Sequence, residues 1–166
     1  MSSLAVTPLS LNQIRNAANV FRLLFGYKED SWLDIVAVLE ELQDYGYTVE
    51  ICSQTELRDK HGETYPSLKK IRIRNDVYDR ACDGYGRDRL TIAHEIAHCF
   101  LHRGDKVSFA RMENVPAYMN PEWQANAFAG EVLAPYKCVK DMDISAISEH
   151  YGVSKQAAII QKSRVH

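Results

Sequence analysis

Leu90-Thr91-Ile92-Ala93-His94-Glu95-Ile96-Ala97-His98-Cys99-Phe100-Leu101-His102 places three histidines and one glutamate in a mostly apolar run. Leu90, Ala93, Ala97 and Leu101 lie on one flank of the histidines and Ile92, Ile96 and Cys99 on the other. This predicts a helix from near Asp88 to Leu101 that is buried nearly all round. Positions i and i+4 sit one turn apart on the same helix face, so His94 and His98 can aim imidazole nitrogens at a single metal ion. Glu95 then lies beside the ion, where a carboxylate can take a proton from water. Two imidazoles and a carboxylate are costly to bury unless a cation compensates them. The pattern therefore points to a catalytic zinc site rather than to hydrogen-bonded core histidines.

Such a site takes three protein ligands and leaves one position open. Further candidates are His102, Asp105, Glu113, Glu122 and Glu131. His102 stands two turns beyond His94, about 12 Å along a straight helix, too far to share one ion with both other histidines. Gly104 is the sixth residue after His98, so the longer H-E-x-x-H-x-x-G-x-x-H pattern is absent. Asn120-Pro121-Glu122 has the form of a helix start, with Asn120 as cap and Pro121 in the first turn. Glu122 would share a face with Ala125, Asn126, Ala129, Val132 and Leu133, while Glu131 falls opposite. A glutamate on that face is expected to point inward, which makes Glu122 the expected third ligand. The plainer alternative is a first-turn carboxylate that favours the helix dipole. Pro135 should end this helix.

Upstream, residues 1 to 9 lack periodicity and read as a loose leader. Ser10 can cap a helix carrying Leu11, Ile14, Ala18, Phe21 and Phe25, stopped by Gly26. Asp30 or Ser31 should open a second, with Trp32, Ile35, Val36, Leu39 and Leu42 buried and Gly46 at its end. Tyr47-Thr48-Val49-Glu50-Ile51 predicts the first strand, followed by a polar loop through Pro66. Lys69 to Arg74 predicts a half-buried strand, with Ile71 and Ile73 inward. Its cations are expected either to form a solvated face or to border a cleft at an edge where an extended peptide could pair. Asn75-Asp76 should turn the chain, and Asp83-Gly84-Tyr85-Gly86 should form a loop. Ile144 to Ser154, followed by Lys155 to Arg164, reads as helix, turn, helix.

The 166 residues are 46% hydrophobic with a net charge of −2, which suits one main domain and gives no bulk attraction to nucleic acid or anionic membrane. Cys52, Cys82, Cys99 and Cys138 are widely spaced, with no C-x-x-C pair and no signal peptide or long apolar run before them. A reduced, cytoplasmic protein is expected, with the cysteines as small buried hydrophobes. The C-terminal helix pair could place its second helix in a DNA groove. That helix offers only Lys155, Lys162 and Arg164, so packing or partner contact is expected and direct DNA binding is not.

Arg89 to His102, followed by Glu122-Trp123-Gln124-Ala125-Asn126-Ala127-Phe128-Ala129 and Leu133-Ala134-Pro135, resembles the ImmA/IrrE metallopeptidase family over roughly residues 30 to 160. The resemblance implies an α+β, zincin-like peptidase domain, mostly helical, with a short β-sheet before the H-E-x-x-H helix. It would span residues 1–136, with a helix-turn-helix-like segment at 137–166 packed on it. It also implies an intracellular bacterial or phage protease that cuts a helix-turn-helix repressor and so releases mobile-element or stress-response genes. His94, His98 and Glu122 would hold Zn²⁺, with Mn²⁺ as a possible substitute, and Glu95 would be the base. Ala134 stands where the family commonly has Met, which should widen the neighbouring pocket. For an oxyanion donor the chemistry nominates Tyr118, His102 and Tyr85. The competing reading is a protein that binds a repressor or antitoxin without cutting it. Oligomeric state is not legible in the sequence.

Overall fold

The computed structural model describes residues 3–102, 110–112 and 114–165. In chain order these form β1 (Ser3–Ala5), α1 (Leu11–Leu24), α2 (Ile35–Glu41), β2 (Thr48–Cys52), α3 (Gln54–Leu57), β3 (Gly62–Tyr65), β4 (Lys70–Arg74) and α4 (Asn75–Cys82). There follow α5 (Gly86–Leu101), β5 (Ala110–Met112), α6 (Pro121–Leu133), α7 (Tyr136–Val139), α8 (Ile144–Tyr151) and α9 (Lys155–Ser163). The architecture is the expected small, mostly helical α+β domain with a short sheet before the histidine helix.

Helix α1 begins as its sequence dictates. Ser10 Oγ accepts from Gln13 N, and Gln13 Oε1 accepts from Ser10 N, a reciprocal cap. Leu11, Ile14, Ala18 and Phe21 are buried, and Gly26 leaves the helix at φ 84°. Helix α2 starts later than expected. Asp34, not Asp30 or Ser31, is the cap, accepting from Ala37 N at 3.0 Å. Trp32 is thus excluded from the buried stripe and is 45% exposed. The buried Arg22 holds the preceding turn in a non-helical form by donating to the carbonyls of Lys28 and Ser31. Its guanidinium also reaches Val132 O at the end of α6.

The three-stranded sheet has the order β2-β4-β3, with β4 parallel to β2 and antiparallel to β3. Ile71 and Ile73 are buried, as their alternation requires. The cations of β4 fit neither expected role, because β4 is the central strand. Arg72 pairs with Glu50 on β2 at 3.1 Å and Glu63 on β3 at 3.2 Å, Lys70 with Glu50, and Arg74 with Asp76. Three further expectations fail around the sheet. The polar stretch before Pro66 contains α3, capped by Ser53 and Glu56, and the strand β3, whose Gly-Glu-Thr-Tyr sequence has no apolar alternation to reveal it. Asn75-Asp76 starts α4 instead of a turn; short polar residues suit a helix's first turn as well as a reverse turn. Residues 3–9 of the leader are also structured: β1 pairs antiparallel with β5, Ala5 and Val6 are buried, and Val6 N and Leu9 N donate to Met119 O and Tyr118 O. Those partners lie more than a hundred residues away, beyond any local signal.

Helix α5 runs through the middle of the domain, packed by α2, α4, α6, β3 and β4. Arg87 is its only exposed residue. Phe21, Phe100 and Phe128 meet edge to face, joining α1, α5 and α6 in one core. The α8–α9 pair is clipped to the first turns of α5. Arg89, also buried, donates to the carbonyls of Leu33, Tyr151 and Gly152. Gly86 admits the Val153 backbone, since a Cβ there would lie 2.6 Å from the Val153 carbonyl carbon. Cys52 and Cys99 are buried and Cys138 half-buried, but Cys82 is exposed at the end of α4, against expectation; none of the four is in a disulfide. None of the helices described is long and apolar enough to cross a membrane.

Candidate metal centre

His94 and His98 project from one face of α5 with their Nε2 atoms 3.1 Å apart. The Glu122 carboxylate, from the first turn of α6, lies 2.9 Å from His94 Nε2 and 3.2 Å from His98 Nε2. Asn120 makes this possible by accepting from Glu122 N and Trp123 N, which starts α6 at the lip of the cleft. Contrary to the inward orientation expected, the Glu122 side chain is 66% exposed. It reaches back over the histidines from the rim, because the second helical position lies before the segment of α6 that is fully buried. Glu131 is the buried glutamate of this helix. It is compensated by Arg15 at 3.2 Å and Gln161 at 2.7 Å and takes no part in the cluster.

Two imidazole nitrogens and a carboxylate this close need positive charge between them, whether protons or a metal ion. Ligand atoms of a tetrahedral zinc ion with bonds of about 2.0–2.1 Å lie about 3.3 Å apart, so the observed spacings suit one. Among the described residues this is the cluster of His, Cys, Asp or Glu able to hold a metal ion. Asp105 and Glu113 lie outside the described residues. The electrostatics agree. Burial presses on the His94 imidazolium, but Glu122 and Glu95 outweigh it and raise its pKa. Hydrogen bonds from His94 and then His98 hold the Glu122 carboxyl well below the usual range.

Glu95 lines the same cleft, of about 350 Å³, together with Lys60, Glu63, Pro66 and Pro121. Its carboxylate accepts from the Thr64 hydroxyl, which also lies 3.1 Å from the Glu95 backbone oxygen. Strand β3 can come this near because of Gly62, where a Cβ would meet Glu95 Cγ at 2.8 Å. Each histidine is backed at Nδ1: His94 by Asn126 Oδ1 at 2.8 Å, His98 by His102 Nδ1 at 2.9 Å. His102 in turn meets Gln124 Oε1 at 2.9 Å. At 3% exposure its imidazolium is disfavoured by desolvation, and its pKa falls to about 4.

The structure thus gathers His94, Glu95, His98 and Glu122 at one cleft and sets His102 behind them. Tyr118 and Tyr85 are exposed and are not among the cleft's lining residues; Tyr85 caps the far end of α5. Ala134 is buried at the end of α6 and does not line the cleft either, so it widens no pocket there. Sequence reasoning missed Thr64, Asn126 and Gln124. Asn126 was recoverable, four residues after Glu122 on the same face, whereas Thr64 sits in a strand with no periodic signal.

Residues 41–161 match the peptidase family described as the IrrE N-terminal-like domain. No curated protein matches the chain. Among solved structures, a transcriptional regulator from Mycobacterium tuberculosis is similar at a TM-score of 0.58 and 18% identity, over 89% of this chain and 46% of that one. At that identity the likeness is one of fold, and this chain spans less than half the length of that protein.

Proposed function

The chain belongs to the IrrE N-terminal-like peptidase family, and from that premise we propose that it is a zinc-dependent endopeptidase that cleaves a helix-turn-helix transcriptional repressor. The observation that carries the reading is the convergence of His94, His98 and Glu122 within 3.2 Å, with Glu95 beside them in an open cleft. A metal-binding protein without catalysis has no use for Glu95 there. Zn²⁺, or Mn²⁺ in its place, supplies Lewis acidity when bound: it acidifies water and polarises a carbonyl at neutral pH.

The chain's own residues do the rest. His94 and His98 offer Nε2 and Glu122 its carboxylate as ligands. Glu95, steadied by Thr64, takes a proton from the attacking water and returns it to the leaving amine. Strand β3 is an edge strand beside the cleft, able to align an extended substrate through its backbone. Residues 1–136 form the peptidase domain on this reading, and 137–166 a C-terminal segment packed on it. DNA contact is not its role: Lys162 donates to Met142 O and Arg164 to Gln161 Oε1, leaving Lys155 as the exposed cation of α9. A repressor substrate, and four cysteines with no disulfide between them, support a cytoplasmic location on this reading.

The test is incubation of the zinc-loaded protein with helix-turn-helix repressors from the same genome. The wild type should produce defined fragments and Glu95→Gln none. Stable complex formation with no cleavage by either would replace the protease reading with one of sequestration.

A further inference from the structure

His98 is held from behind by a hydrogen-bond chain whose direction can be deduced without seeing a hydrogen. It starts at two backbone carbonyls. The Gln124 side-chain nitrogen lies 2.9 Å from Thr7 O and 2.7 Å from Tyr118 O. Carbonyls only accept, so both amide hydrogens are committed there and Oε1 faces His102. Turning the amide over would set its oxygen against two other oxygens, which excludes the reverse assignment. Oε1 also only accepts, so His102 Nε2, 2.9 Å away, carries a hydrogen. A neutral imidazole then has a bare Nδ1. That atom lies 2.9 Å from His98 Nδ1, which must be the donor. With the Nδ1 hydrogen fixed, Nε2, the atom that faces His94 and Glu122, is the nitrogen left to offer a lone pair when a metal ion replaces the proton it shares with Glu122.

We infer that His102 and Gln124 are positioning residues that lock His98 in the tautomer able to bind metal, with the carbonyls of Thr7 and Tyr118 as the fixed end of the chain. The inference rests on reading His98 as a ligand. It extends the metal centre into the N-terminal segment, which lies outside the residues matched to the family. Thr7 is held in place by the bonds of Val6 N and Leu9 N to Met119 O and Tyr118 O on either side of it. The support thus couples the first strand, the last turn of α5 and the start of α6 to one ligand nitrogen.

Zinc affinity of the full chain, measured by competition with a chromophoric chelator, tests this alongside thermal unfolding of the metal-free protein. His102→Phe keeps a buried ring but offers no acceptor. It should weaken zinc binding about 10–100-fold, the usual cost of losing such a partner. His102→Gln, which restores an acceptor and a donor on one planar group, should recover most of that loss. Gln124→Met should weaken binding in the same direction and carries the test if His102→Phe does not fold. If both apolar variants lower the melting temperature but bind zinc as tightly as wild type, the residues only pack and the inference is overturned. That result, with Glu122→Ala losing zinc, would leave the metal site standing. A wild type that takes up no zinc would instead refute the metal reading itself, and this inference with it.

Discussion

Thr64 is the residue on which the proposed base depends most directly. Its hydroxyl is the donor to the Glu95 carboxylate, so it selects which oxygen stays free to face water. Losing one such bond is worth about 1–1.5 kcal/mol, so Thr64→Val should lower kcat roughly tenfold with little change in KM. Cleavage kinetics giving an unaltered kcat would detach Thr64 from the chemistry. His102 makes a different prediction, about acid stability of the metal-free protein. Its pKa is about 4 when folded, against an ordinary value of 6.5. Above pH 6.5 both states are neutral and the group contributes no pH dependence. As pH falls from 6.5 toward 4, the unfolded chain binds a proton that the folded one refuses, so stability drops, by at most about 3 kcal/mol. The Glu122 carboxyl, shifted downward, adds its own loss only below the ordinary glutamate range. Urea unfolding at pH 6.5 and 4.5 should show a smaller decline in His102→Gln than in wild type; equal declines would remove His102 as the cause.

At the scale of elements, α5 is built to be surrounded, and its two ends are fixed by different means. The histidine end is held by α6 and β3. The opposite end is held by Arg89, which bridges to the start of α2 and to the turn between α8 and α9. Its guanidinium also sits over the Trp32 ring at 4.7 Å. Among the described residues no carboxylate pairs with it directly, and desolvation lowers its pKa to about 10. Arg89→Met would fill similar space but strand three carbonyls, those of Leu33 and Tyr151 buried and that of Gly152 partly so, at a cost of about 3 kcal/mol. Thermal unfolding should show a melting temperature lower by roughly 6–12 °C, and amides of α8 and α9 should exchange faster. An unchanged melting temperature would mean the C-terminal pair is held by packing alone. The basic face of β4 makes a related point about elements: on a central strand, cations serve by pairing with the carboxylates of both neighbours.

For the whole molecule, the two central helices carry the proposed metal ligands, so metal binding and folding should be linked. Zinc at about a hundred times its dissociation constant should add about 2.7 kcal/mol, which for a chain of this length is roughly 5–10 °C in melting temperature. Differential scanning calorimetry with zinc and with chelator should show that shift in wild type and lose it in Glu122→Ala. A shift that persists in the variant would move the third ligand to another carboxylate. Glu122 also spans the two elements whose contact closes the cleft, so its removal should leave α5 and α6 individually intact. Far-ultraviolet circular dichroism of the variant should match wild type.

What the sequence determined by itself was whatever short-range geometry specifies. The i, i+4 spacing of His94 and His98, the Asn120-Pro121 start of α6, the Ser10 cap of α1 and the alternation of Ile71 and Ile73 are all written within a few residues. So is the placing of Glu95 beside the histidine pair. What only the tertiary structure decided were contacts between segments far apart in the chain. Strand β3 exists because β4 lies beside it, and only that pairing brings Thr64 to Glu95. Residues 3–9 are ordered by partners near residues 110 and 118. Gln124 looked like one polar residue in a helix until Thr7 and Tyr118 fixed its amide and, through His102, the hydrogen on His98. Glu122 was identified from its place on the wheel, but that it reaches the histidines from an exposed rim depends on where α6 begins relative to α5, which no periodicity encodes.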